Sequence, residues 1–483
     1  MKQKNLKNAL LLFIVSGAMA VTFYNCKSNS SNTTNNLGAT GNSIFNFQAS
    51  YQIPEDVDSN ASDTALAAYA WQEFLALNWK SSYTSLNGQK GMPDTTWSYK
   101  VDTMAVPDTL VWETYAHRTE LSPYTYPMRP FDSACNYSYG AQPIPGMGSP
   151  SFGLLHNLDE TSEIGSCSLY AFADSQNLYN DSLVVRYQAK TNRTEYDYIK
   201  DSFPTQQALK QRIANTEKYI DSSYINPNYI SDSLLLKLPN GSIEVKSAWR
   251  QLRSYEDPSK FLTRKVIVYS NQPVSGNTYT YTNKTYALIG LHIIHKSKNH
   301  PSFVFATWEH VDVMKDSMRY ILISQGKDSL GYQKPIRNPI PAIDSLATAY
   351  VHANLVPNGS VWKNYRLVGV QGTPTSNTAT PSFFLANYVI ESDSLLARFH
   401  GSGFGSPFNG QPNVFYNHNL YSVGGCQGCH GGGAQHSGAD FSFIVGGHTT
   451  APDPVIGKPG ATTSAVWKLS TAKLNLLKQK YHH

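Results

Sequence analysis

The chain has 483 residues, a net charge of +5 and 41% hydrophobic content, enough to bury a sizeable core. Charged residues make up only 15%, and no dense Lys/Arg run follows the first few residues, which excludes the basic footprint of a nucleic-acid-binding protein. Past the amino terminus no stretch reaches the roughly 18 apolar residues that a spanning helix needs.

Lysines at positions 2, 4 and 7 followed by an apolar run from Ala9 to Phe23 predict a signal peptide over residues 1–25. Its end reads in two ways. Ala18-Met19-Ala20 suits an ordinary signal peptidase, whereas Cys26 suits the lipid-modified first residue of a bacterial lipoprotein. Phe23-Tyr24-Asn25 departs from the small residues that usually precede such a cysteine. Residues 26–47 are polar and without apolar periodicity, a disordered tether. Export to the periplasm or cell envelope, with a membrane reached through a lipid anchor on Cys26, is the expectation.

Residues 62–79 predict a helix, capped by Ser62 or Asp63, with Leu66, Ala70, Phe74 and Leu77 on one stripe. Strands are predicted at Thr109–Thr114, Lys265–Ser270, Tyr286–Lys296, Phe303–Val313 and Tyr365–Gln371, and a helix at Gln206–Tyr219. Asp-Ser-Leu steps at Asp181, Asp232, Asp328, Asp344 and Asp393 suit turns or helix starts. Val466, Leu469, Ala472 and Leu476 share one face of a last helix over Ser464–Lys480. The expected fold class is α+β: a β-rich body over 48–380, then a second region over 381–483.

That second region holds Cys426-Gln427-Gly428-Cys429-His430, the C-x-x-C-H spacing of covalent c-type haem attachment. Two thiols one helical turn apart add across the porphyrin vinyl groups, and the next histidine becomes the proximal iron ligand. Chance would produce the pattern in about one of a thousand chains of this composition. A redox C-x-x-C would sit in a β-α-β context, but glycines flank this one (Gly424, Gly425, Gly431–Gly433). A zinc site needs a second ligand pair, and none follows. The expectation is one covalent haem c. The region is short for a free-standing class I cytochrome, and the last methionine, Met318, lies well upstream of the motif. The sixth iron position is therefore open or held by something other than a downstream methionine. Cys135 and Cys167 remain, paired as a disulfide in an oxidising compartment or left as two buried thiols.

Leu288–Val313 predicts an antiparallel hairpin with a polar turn at Lys296–Ser302. Alternation puts His292 with Ile294 on one face and His295 on the other, while Trp308, His310 and Asp312 share a face opposite Glu309. His292, His295 and His310 are candidates for a distal haem ligand, a general acid or a small non-haem metal site; the alternative is ordinary hydrogen-bonded sheet residues. His400, His418, His436 and His448 flank the haem motif and either fold over the iron or sit in loops. Trp71 and Trp112-Glu113 read as core, and Glu391 as a propionate-side or helix-cap residue.

Taken together, several landmarks are similar to those of bacterial cytochrome c family proteins of unassigned role. They are Trp71-Gln72-x-Phe74 with Leu77-Asn78-Trp79, Val111-Trp112-Glu113-Thr114, Gly241–Lys246, Gly290–Lys296, Thr307–Asp312, Tyr365-Arg366-Leu367, and the haem motif with Asp440-Phe441-Ser442-Phe443. The resemblance implies a single c-type haem integrated into one large exported domain. Three roles follow from a lone haem on so large a body. The first is electron transfer between periplasmic redox partner proteins. The second is a haem enzyme for oxygen or peroxide chemistry, with the small-molecule substrate unspecified, and the third is a haem-based sensor or structural module.

Overall fold

The computed structural model describes residues 44–84, 88–100, 106–121, 127–133, 158, 168–170, 185–225, 235–269, 281–313, 319–323, 330–333, 340–373, 387, 389–390, 414–416, 419–421 and 425–446. All of these belong to one unit that begins at Ile44. The fold is α+β and β-rich, built on an antiparallel sheet of seven strands. Six run in the order β1 (Ala116–His117), β3 (Arg186–Thr191), β4 (Ile243–Gln251), β6 (Tyr281–His295), β7 (Val304–His310) and β10 (Tyr365–Gln371). The seventh, β5 (Thr263–Tyr269), pairs with the first half of β6. Ala287 of β6 faces Arg250 of β4 and Thr263 of β5, so β5 and β7 share one edge of the long central strand. Two smaller sheets join β2 (Ser168–Tyr170) with β8 (Arg319–Ile323) and β9 (Leu330–Gln333), and β11 (Val414–Tyr416) with β12 (Asn419–Tyr421).

The predicted first helix is α1 (Asp63–Leu77), started by the Ser62 side chain accepting the Ala65 N–H at 3.3 Å. Among the described residues the further helices, besides short 3-10 turns, are α2 (Arg118–Leu121), α3 (Arg193–Ser202), α4 (Gln206–Ile225), α5 (Ala342–Asn354), α6 (Gly425–His430), a π turn (Gly431–Gln435) and α7 (Phe443–Gly446). The predicted Gln206 helix runs six residues past Tyr219, to Ile225. Asp344 lies in the first turn of α5. Asp181, Asp232, Asp328 and Asp393, and the helix expected at Ser464–Lys480, lie outside the described residues. None of the described helices is long and apolar enough to cross a membrane.

One predicted strand is corrected. Residues Trp112–Thr114 form a 3-10 turn, with only a single bridge at Leu110 to Lys80. Local side-chain bonds outcompete the ladder there: Glu113 accepts the Leu110 N–H at 2.8 Å, and the Thr114 hydroxyl donates to the Val111 carbonyl at 2.8 Å. Arg264 then clamps Glu113 with two bonds of 2.7 and 2.8 Å.

The register divides the sheet into two faces. Leu291 faces Trp308 and His292 faces Thr307. Directly opposed residues point to the same side, so Trp308, His310 and His295 share one face, while His292, Phe305 and Glu309 share the other. Helices α1 and α5 cover the first face: Trp308 meets Trp71 at 6.1 Å and Phe74 at 5.0 Å, and His352 of α5 meets Trp71 at 6.2 Å. The second face is covered in two parts. Around Gly290 lies a small apolar patch with Val389 and Ile390, where a Cβ at Gly290 would come within 2.4 Å of Val389. The rest is covered by residues 425–446.

Candidate functional site

The C-x-x-C-H motif occupies α6 and runs directly into the π turn. Its wider loop closes with bonds from His436 N–H to the Gly431 carbonyl at 3.0 Å and from Ala439 N–H to the Ala434 carbonyl at 2.9 Å. At Gly438 (φ +86°) the chain presses against α4; a Cβ there would lie 2.2 Å from the Ile213 carbonyl oxygen, which only glycine permits. Asp440 and Phe441 then adopt φ values of 50° and 68°, a left-handed backbone costing of order 1 kcal/mol or more at each residue. Two contacts hold this turn: Asp440 accepts the Leu238 N–H at 2.7 Å and pairs with the Lys296 ammonium.

That strained turn supplies the partner of His430. The ring donates from Nδ1 to the Phe441 carbonyl at 2.6 Å. Phe305 and Phe443 stand edge-on to it at 4.7 and 4.6 Å. Burial pushes the imidazole down to about 3, against the opposing pull of its Phe441 bond, and the Lys246 ammonium pushes the same way as burial. The ring is therefore neutral at physiological pH, with its proton on Nδ1 and a lone pair on Nε2.

The spacer residue Gln427 fixes this segment to the sheet. It is wholly buried. Its backbone N–H donates to Gln371 Oε1 at 3.0 Å, and its amide nitrogen donates to the carbonyls of Phe303 at 2.9 Å and Gly372 at 3.0 Å. Cys426 beside it is half-buried and packs against the main core. The C-x-x-C-H motif thus sits on the turn of the β6–β7 hairpin and the end of β10.

The hairpin itself forms as predicted, but its register separates the three histidines. Only His292 lies on the face carrying His430, beside Lys246 of β4. His295 points the other way, its Nδ1 2.5 Å from Glu73 and 2.6 Å from the Tyr69 hydroxyl under α1. His310 lies on that same far face and uses both nitrogens: Nε2 donates to the Lys260 carbonyl at 2.9 Å and Nδ1 accepts the Asp312 N–H at 3.1 Å. Its ring stacks on Phe261 at 4.1 Å. His292 and His310 do not approach each other across the ladder, because they lie on opposite faces. Among the described residues no group of three or more His, Cys, Asp or Glu side chains could hold a metal ion.

Of the remaining candidates, Trp71 and Trp112 are fully buried core, and the Trp112 indole donates to Asn78 at 3.0 Å. Cys26, Cys135, Cys167, Glu391, His400, His418 and His448 lie outside the described residues. Nothing in the single-sequence reading singled out Gln427, Phe305 or Glu195. The available signal was β4, whose alternation Ile243-Glu244-Val245-Lys246 puts charges on a face that turns out to be covered. Compared with protein-family models, curated proteins and solved structures, the chain finds no match in any of the three.

Proposed function

We propose that this chain is an exported, membrane-tethered cytochrome with one haem c held by Cys426 and Cys429, carrying single electrons between periplasmic redox partner proteins. The observation that carries the reading is the His430 hydrogen bond to Phe441. Metal-bound histidines normally spend one ring N–H on a carbonyl or carboxylate, which fixes the tautomer and aims the other nitrogen at the metal. His430 does this with a neutral, aromatic-walled ring at the end of a helical C-x-x-C-H, so the residues present fit the group. When bound, the haem supplies a one-electron couple.

The chain's own residues supply the rest. Phe305 and Phe443 exclude water from the proximal imidazole, the Phe441 carbonyl orients it, and Gln427 ties its helix to the sheet. The region after residue 380 is incomplete as a class I cytochrome, and the β-rich body completes it by lending Phe303 and Phe305 as packing partners. Of the three hairpin histidines only His292 shares a sheet face with His430, which is the support for giving it the distal role in this proposal; His295 and His310 serve the far side of the sheet. Tethering through Cys26 and export through the first 25 residues remain part of the proposal on sequence grounds.

The test is expression with a working haem-maturation system. Covalent haem should survive denaturing electrophoresis and disappear when Cys426 and Cys429 are both changed to Ala. Wild-type protein without a covalent haem stain would end the reading. In the same preparations His292→Ala should alter the spin state, and an unchanged spectrum would remove His292 from the iron.

A further inference from the structure

Behind the segment that orients His430 lies a pair of acids that electron carriage alone does not use. Glu244 of β4 stands opposite Thr191 in the β3–β4 ladder, and Glu195, the third residue of α3, follows one turn after Thr191 with its N–H held by Asn192 Oδ1 at 3.2 Å, which brings the two buried carboxyl groups within electrostatic reach of each other. Their exposures are 0% and 6%. The Thr191 hydroxyl stands beside Glu195 and the Ser442 hydroxyl beside Glu244. No well-formed hydrogen bond reaches either Glu195 oxygen or Oε1 of Glu244 among the described residues.

The surrounding charges are few. Lys246 acts on Glu244 and on His430; Asp440 repels both acids; Lys296 is paired with Asp440, and Lys237 also acts on Asp440. Two carboxylates buried together cannot both ionise, because each charge raises the cost of the other. Burial and the neighbouring acid hold Glu195 well above the carboxylate range. Burial pushes Glu244 up to about 7, against the opposing pull of Ser442, Glu195 and Lys246.

This pair is joined to the proximal histidine by a short chain of contacts. Ser442, on Glu244, follows Phe441, whose carbonyl accepts the hydrogen bond from His430 Nδ1, and Asp440 precedes it in the same left-handed turn. We infer that Glu195 and Glu244 form a proton-binding site linked to the haem, holding one exchangeable proton more tightly when the haem has gained its electron. The inference rests on the haem reading above. One electron enters from the redox partner and one proton enters from solvent to complete a carboxyl O–H bond; both leave on reoxidation, and no other bond changes. The sign follows from charge: an added electron favours the protonated pair. The expected tightening is on the order of tenfold, the size one added charge imposes through a protein interior of moderate dielectric.

Spectroelectrochemistry of the full-length holoprotein tests the link. The midpoint potential should fall as pH rises through neutrality, and the slope should flatten in Glu195→Gln and in Glu244→Gln, each assayed with its covalent haem stain intact. A potential that does not move between pH 5 and pH 9, or a slope that survives both variants, overturns the inference and leaves the haem reading standing. Absence of the stain from wild-type protein overturns both. Infrared spectra give a readout that needs no haem: a protonated-carboxyl C=O band should be present at neutral pH, and weakened by Glu195→Gln, in the Cys426→Ala, Cys429→Ala protein. Its absence from both the haem-bearing and the haem-free protein overturns the inference whatever the potentials do.

Discussion

On the helix-covered face of the main sheet, Trp308 meets Trp71 and Phe74, Tyr365 lies within 6.5 Å of Phe74, and even the polar groups are locked in pairs such as Glu73 with His295. On the opposite face the neighbouring strand positions carry Glu244, Lys246, His292, Thr307 and Glu309. The first face is closed by ring packing, which is non-directional and tolerant of small shifts. The second is closed by individually aimed polar bonds under Asn387, Val389, Ile390 and residues 425–446, such as those of Asn387 to Thr307 and Gln427 to Phe303. Stability and chemistry are thereby separated by the thickness of a single sheet. A mutation on one side should be read out chiefly on that side.

The largest effect should come from the packed face. Trp308→Ala removes a fully buried indole and should cost about 4 kcal/mol, measured as the loss in denaturant-unfolding free energy. On the proposed haem reading, covalent haem should persist in whatever fraction folds; loss of less than about 1 kcal/mol would show that this face does not dominate stability.

A pH effect should come next, again on the packed face. Burial lowers His310 to about 4, with the Lys260 carbonyl pulling the other way. An unfolded chain has a histidine near 6.5, so below that pH it binds a proton the native ring refuses. Stability should therefore fall as pH drops from about 6.5 to about 4, by up to about 3 kcal/mol from this residue. His310→Gln should make the decline shallower, and an identical pH profile would refute the assignment.

The smallest of the three belongs to the polar face. Gln427→Ala leaves the carbonyls of Phe303 and Gly372 without their shared donor and should cost about 2 kcal/mol. Unlike the other two, it should also, on the proposed haem reading, broaden or shift the haem absorption spectrum. A stability loss with an unchanged spectrum would mean that Gln427 holds the fold but not the haem segment.

The packed face was legible because periodicity reports burial. Helix α1, the hairpin and β10 were all readable from alternation or 3.6-residue spacing, and the observed bounds of β10 match those expected; α1 is nevertheless buried on nearly every side from Tyr69 to Leu77, beyond the one stripe expected. The polar face was not, for a physical reason. The alternation of β4 looks like a strand with one wet side, and only the return of the chain some two hundred residues later covers that side with Ser442 and Asp440. Register had the same effect on the histidines. Which face a histidine occupies follows from alternation alone, but which neighbours cover that face depends on the helices and loops that pack there. Residues 112–114 failed because Arg264, far away in sequence, rewards a turn at Glu113 that strand propensity disfavours.

Gln427 sits between the two cysteines, at a position that the attachment motif leaves unspecified. Here that position is a bolt: once its amide is under the carbonyls of Ser302, Phe303 and Gly372, the helix bearing the thiols is shut against the sheet. Haem delivery needs access to both thiols, so on the haem reading ligation precedes closure. The carboxy-terminal segment is then the last part to dock during biogenesis, onto a sheet already assembled from earlier residues. Folding before haem delivery would trap an apo form sealed by its own spacer residue.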